Sequence, residues 1–126
     1  MRYLLLVWID EAAEAADPPL DAVGTWIDDV QGRGLRLIGG PLGPTASSTV
    51  VRERGGELLV TDGPFTESRE WIGGFDVLEC RDFDEALRAA RRHPMVGLGA
   101  IELRPIGSLG VPGEERVLAG EAEGAV

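Results

Sequence analysis

An α+β sandwich, two β-α-β halves sharing one sheet with a β-hairpin between them, is the fold that this 126-residue chain predicts. Three observations predict it. Mainly apolar runs of strand length occur at residues 3–9, 35–42 and 72–80, and an alternating one at 100–105. Apolar residues at helical spacing separate the first run from the second and the third from the fourth. Two further strand-like runs, 49–54 and 57–61, are joined by Gly55-Gly56, a pair suited to a tight hairpin turn. The order makes a ferredoxin-like layer of two helices over one sheet face. The other face remains apolar, and a second copy of the chain is expected to cover it.

The elements follow in order. Tyr3-Leu4-Leu5-Leu6-Val7-Trp8-Ile9 is continuous and apolar, so it reads as a strand buried on both faces. Asp17-Pro18-Pro19 supplies a helix start, with Asp17 as cap and Pro18 in the first turn. Leu20, Val23, Trp26, Ile27 and Val30 form the apolar stripe of that helix, and Gly32 and Gly34 stop it. The second strand ends in Gly39-Gly40-Pro41. After the hairpin, Asp62-Gly63-Pro64-Phe65 turns the chain, residues 66–70 are expected to make one helical turn, and strand resumes at Ile72. Gly73-Gly74 marks a bulge or a close backbone approach. Asp82, with Glu85 three residues on, opens the second helix like a capping box. Its inner stripe is Phe83, Ala86, Leu87 and Ala90, with Arg88, Arg91 and Arg92 outward. Pro94 ends it and leaves His93 in the last turn. From Gly107 the pattern dissolves, which divides the chain into a domain over 1–107 and a loosely ordered acidic tail over 108–126.

Charge excludes several function classes. The net charge is -10, and all twelve basic residues counted with it are arginine. Nucleic acid and anionic membranes both require clustered cations, so neither is expected as a partner. The run over residues 3–9 is too short to span a bilayer and lacks the basic leader of a signal peptide. With a single cysteine, Cys80, no intramolecular disulfide forms, which fits a reducing cytoplasm. One histidine, one cysteine and scattered acids give no metal constellation. Gly39-Gly40-Pro41-Leu42-Gly43 lacks the phosphate-loop lysine and the dinucleotide spacing. No cofactor and no metal are therefore expected.

The residues left for chemistry are few. Asp62 either satisfies backbone N–H groups of its own turn or stands as a carboxylate base at a pocket mouth. His93 either ends a helix, where the dipole favours it, or acts as a general acid/base. Phe65 and Trp71 flank the same segment and can wall a pocket, and Arg69 can hold an anionic substrate or pair with Glu67. Trp26 reads as core, and Cys80 as a small buried apolar group.

Val60-Thr61-Asp62-Gly63-Pro64-Phe65, Glu67 and Ile72-Gly73-Gly74-Phe75 resemble the DGPF-type branch of the YCII-related domain family. The opening Met1-Arg2-Tyr3-Leu4-Leu5-Leu6, the Gly39-Gly40-Pro41-Leu42 segment and the closing Ile101-Glu102-Leu103-Arg104-Pro105-Ile106 match the same pattern, over roughly residues 1–107. The resemblance implies a dimeric α+β barrel with two sheets packed face to face. It also implies a setting: some members of this branch are encoded beside sigma factors of the extracytoplasmic-function type. A related enzyme removes chloride from a hydroxylated aromatic ring, with a His-Asp pair proposed as its site. Here the family histidine would fall near Val23, where none stands, and the family aspartate position is His93.

Two readings result. One is a cofactor-independent enzyme that isomerises, eliminates from or cyclises a small cyclic or aromatic substrate, with Asp62 or His93 moving the proton. The other is a non-catalytic homodimer that binds a metabolite or a regulatory protein such as a sigma factor.

Overall fold

The computed structural model describes residues 1–10, 19–64 and 69–107. The elements are β1 (Arg2–Asp10), α1 (Leu20–Gly32), β2 (Arg36–Pro41), β3 (Thr49–Arg54), β4 (Glu57–Asp62), β5 (Glu70–Glu79), α2 (Phe83–Arg91) and β6 (Ala100–Ile106), with short 3-10 turns at Thr45–Ser47 and Pro94–Gly97. β2, β5, β1 and β6 form one four-stranded sheet in that order, while β3 and β4 form a separate ribbon. Each neighbouring pair in the larger sheet is antiparallel. Both helices lie on one face, which is the ferredoxin-like arrangement that the sequence predicts.

Side-chain alternation along β1 separates the two sheet faces. Tyr3, Leu5 and Val7 point at the helices and join Leu78, Trp26, Val30, Cys80, Ala86, Ala89, Ala90 and Met95 in the core. Burying a side chain such as Leu5 or Leu78 contributes about 1.5–3 kcal/mol. Leu4 and Leu6 point the other way, opposite Val77 and Phe75. The reading of β1 as buried on both faces holds only in part for one chain: on the side away from the helices Leu6 is buried, whereas Leu4 and Trp8 are half-buried.

Gly55 and Gly56, with φ of 58° and 81°, make the hairpin turn between β3 and β4. The bulge also forms as expected: Val7 pairs with Gly74 and Trp8 with Ile72, so Gly73 is skipped. A Cβ at Gly73 would run into the Ile9 side chain.

Helix details differ from expectation. The first intrahelical bond of α1, from Val23 N–H, is accepted by the Pro19 carbonyl at 2.9 Å, so the helix begins after Pro19. Asp17 and Pro18, expected as its cap and first turn, lie outside the described residues. Leu20 is 71% exposed and off the buried stripe, which is carried by Trp26 and Val30. In α2 the Asp82 carboxylate accepts from Glu85 N–H at 2.8 Å, as the capping pattern predicts. Its buried side is Ala86, Ala89 and Ala90, while Phe83 and Leu87 are exposed. Three methyl groups let the helix sit close to the sheet. Phe83 is left at the margin, its ring 6.1 Å from that of Tyr3. The single helical turn expected at 66–70 is not made as a whole, since Glu70 already belongs to β5; residues 65–68, like the tail over 108–126, lie outside the described residues.

Candidate functional site

Asp62 is the last residue of β4, paired with Thr49 and exposed. Beyond it Gly63 adopts φ 95° and its N–H donates to the Ser48 carbonyl at 2.7 Å. Only glycine adopts that backbone freely, so Gly63 closes the ladder and redirects the chain. Phe65 lies outside the described residues. Arg69 is exposed just before β5, and Trp71 is half-buried opposite Ile9 in the β1–β5 ladder. The structure thus places Arg69 and Trp71 together at the start of β5, and Asp62 on the ribbon.

His93 is not in the last turn of α2, where the sequence puts it. It lies beyond α2 as the N-cap of the Pro94–Gly97 turn, where its Nδ1 accepts from Met95 N–H at 3.1 Å. The proton of the neutral ring is then on Nε2. The imidazole is buried, with its centroid 4.6 Å from the Trp26 ring. Burial pushes it down to about 4 from the usual 6.5. A cation favoured by a helix dipole is not what stands there: the ring is neutral at pH 7 and works as a cap. Between pH 6.5 and 4 the unfolded chain binds a proton that the folded chain refuses, so stability falls as pH falls through that window. An NMR titration of the only imidazole is expected to give a midpoint at about 4, unchanged by Asp62→Asn; a midpoint near 6.5 would put the ring in solvent instead.

The ionisable pair that sequence reasoning missed is Arg36–Asp76. Arg36 Nε donates to Asp76 Oδ1 at 2.6 Å, and both side chains are about nine-tenths buried, at 10% and 8% exposure. Burial raises the Asp76 carboxyl above its usual range, and the hydrogen bond and charge of Arg36 act in the opposite direction. The pair is brought together by β2–β5 register, in which Gly39 faces Asp76. Gly39 has no side chain for a reason: a Cβ there would meet Asp76 Oδ1, the Phe75 carbonyl at 2.6 Å and Arg36 Nη2 at 2.7 Å. The sequence did carry a signal, an aspartate in the middle of the apolar run over 72–80.

On the open sheet face Trp8 Nε1 donates to Glu102 at 2.8 Å, and Glu102 also accepts from Arg104. Cys80 is buried and its thiol is pushed up to about 11, chiefly by burial, which makes it a poor nucleophile. No group of three His, Cys, Asp or Glu side chains suited to a metal is present among the described residues. No helix among them is long and apolar enough to cross a membrane.

Comparison with known proteins agrees with this architecture. The model of the YCII-related domain matches residues 1–109. An uncharacterised protein of Rhizobium meliloti (strain 1021) is 40% identical over 73 residues, which are 56% of this chain and 58% of that protein. The chain thus spans less than two thirds of the length of that relative. With a match running from the first strand of the sheet past the last, the chain belongs to the YCII-related domain family.

Proposed function

We propose that the chain acts as a homodimeric small-ligand-binding module of this family and not as an acid/base enzyme built on Asp62 and His93. The observation that carries the binding reading is the state of His93: its one lone pair is engaged by Met95 N–H, and burial keeps the ring neutral. A general base needs a free lone pair within reach of a substrate proton. A regulatory role beside a sigma factor is compatible with the same reading.

Dimerisation is supported by the open sheet face. Register puts Ile38, Val77 and Leu4 in one row and Gly40, Phe75 and Leu6 in the next. Ile38 is 60% exposed in the single chain. An apolar surface of this kind on a soluble domain marks an interaction site, and a two-fold axis lets identical faces cover each other. Sedimentation of the full chain is expected to give a dimer of the 13.4 kDa polypeptide. Leu4→Arg, at the centre of the face, is expected to weaken it by about tenfold or more. A parent protein that sediments as a monomer at micromolar concentration would overturn the pairing of sheets.

One observation favours the enzymatic reading, and it is not at the residues first singled out. Asp76 is a buried carboxyl with a raised pKa, the kind of group that can hold and release a proton. A pool of small cyclic and aromatic acids followed by proton NMR separates the readings. Line broadening without new products supports binding, whereas product formation that disappears in Asp76→Asn replaces it with catalysis.

A further inference from the structure

A cleft of about 310 Å³ opens on the helix layer, between the end of α1 and the length of α2 from Arg81 to Arg92. Its floor is Val30, Leu35 and Ala89, and its rim carries Arg33, Arg81, Arg88 and Arg92 with only Asp29 and Glu85 opposing them. Four guanidiniums against two carboxylates leave a local charge of +2 on a chain whose net charge is -10. A third of the arginines counted in the whole sequence are gathered at this one place.

The two acids orient the arginines without using up their donors. Asp29 is 3.0 Å from Arg33 Nε and 3.9 Å from Arg92 Nη1. Glu85 is held by Arg81, at 2.8 Å from Nη2, and also accepts the Arg81 backbone N–H at 2.9 Å. Arg88 has no ion-pair partner among the described residues. Each guanidinium has five N–H donors in a planar fork that matches carboxylate or phosphate oxygens two at a time. The favourable field at a helix C-terminus accounts for Arg88 in the last turn of α2. It accounts equally for Arg33 and Arg92, the C-cap residues of α1 and α2, but not for Arg81, which precedes α2.

We propose that this cleft binds a small oxyanion carrying two or more negative groups, a polycarboxylate or a phosphorylated compound, between the guanidiniums of Arg33, Arg81, Arg88 and Arg92. The volume is at the lower end of small-molecule sites, which run from about 300 Å³ upward, so the ligand is compact. The apolar floor lowers the local dielectric and strengthens each charge-assisted bond. The proposal deepens the binding reading by naming a ligand class. The cleft lies on the opposite side of the molecule from the open sheet face, so sheet pairing and anion binding can be tested separately.

Calorimetric titration of the full chain with citrate and with pyrophosphate, at ionic strength held constant with sodium chloride, is the test. Saturable binding of one anion per chain is expected. Binding of citrate alone assigns carboxylates, and of pyrophosphate alone assigns phosphates. Arg88→Ala with Arg92→Ala is expected to weaken binding by about tenfold or more, while Arg54→Ala on the ribbon leaves it unchanged. Both variants change exposed side chains, and circular dichroism confirms that they fold. Absence of saturable heat with either anion up to about 10 mM, or equal weakening by Arg54→Ala, would overturn the proposal.

Discussion

Replacing Arg36 with leucine is expected to destabilise the folded chain by about 3–5 kcal/mol at neutral pH. The reason is the partner left behind. Asp76 is 5% exposed, and its carboxylate would lose the guanidinium whose Nε lies 2.6 Å from Oδ1. Burial already raises the Asp76 pKa in the parent protein, and removal of Arg36 raises it further. In the variant the folded state therefore holds a proton that the unfolded state has released, so stability falls as pH rises from the ordinary carboxyl value through the raised one. Urea denaturation at several pH values checks this: the deficit relative to the parent is expected to shrink on acidification. Arg36→Leu with Asp76→Leu is expected to recover much of the loss, since two apolar side chains leave no buried charge. A deficit independent of pH, or below about 1 kcal/mol, would show that the pair is solvated.

Trp26→Ala is expected to cost about 3–5 kcal/mol, a large part of the roughly 5–15 kcal/mol that holds a domain folded. Trp26 is a buried residue of α1 whose indole Nε1 donates to the Ala89 carbonyl at 2.8 Å. That carbonyl, in the last turn of α2, also accepts the Arg92 N–H at 3.3 Å, and the indole occupies its second lone pair. The side chain thus ties the two helices together. It also forms one wall around His93, with ring centroids 4.6 Å apart. Removing it admits water to the imidazole, and the pKa is expected to move from about 4 back toward 6.5. Trp26→Phe keeps a ring against His93 and gives up the hydrogen bond, so its imidazole is expected to stay low. Chemical denaturation and the single-histidine NMR signal read the two effects independently.

Local patterns carried most of the fold and little of the site. The runs placed all four strands of the larger sheet to within a few residues, because β1, β5 and β6 carry side chains in or against the core, such as Tyr3, Leu5, Leu78 and Leu103, and the run of β2 opens on Leu35. Gly55-Gly56 and Gly73-Gly74 were legible because a left-handed turn and a skipped residue each demand glycine locally. The α2 stripe was misread for a physical reason. Periodicity weights large side chains, so Phe83 and Leu87 were assigned inward, whereas close helix–sheet packing selects the small Ala86, Ala89 and Ala90. For His93 the sequence offers a helix end or an acid/base and not a buried cap, because the indole that buries it comes from the other helix. Arg36 and Asp76 are separated by 40 positions and meet only through β2–β5 register. Long-range partnerships of this kind leave a trace in sequence, a charge inside an apolar run, but not the name of the partner.

The position of β1 has a consequence for how the chain is made. β1 is synthesised first yet sits between β5 and β6, with Leu4 opposite Val77 on one side and Arg104 on the other. An emerging nascent chain therefore carries its most apolar segment without a hydrogen-bonding neighbour until β5 leaves the ribosome, and without its second until β6 does. The sheet cannot grow vectorially from the N-terminus, and its closure entropy falls due late, which slows folding. A chain truncated before Ala100 would leave β1 as a sticky edge instead of a central strand.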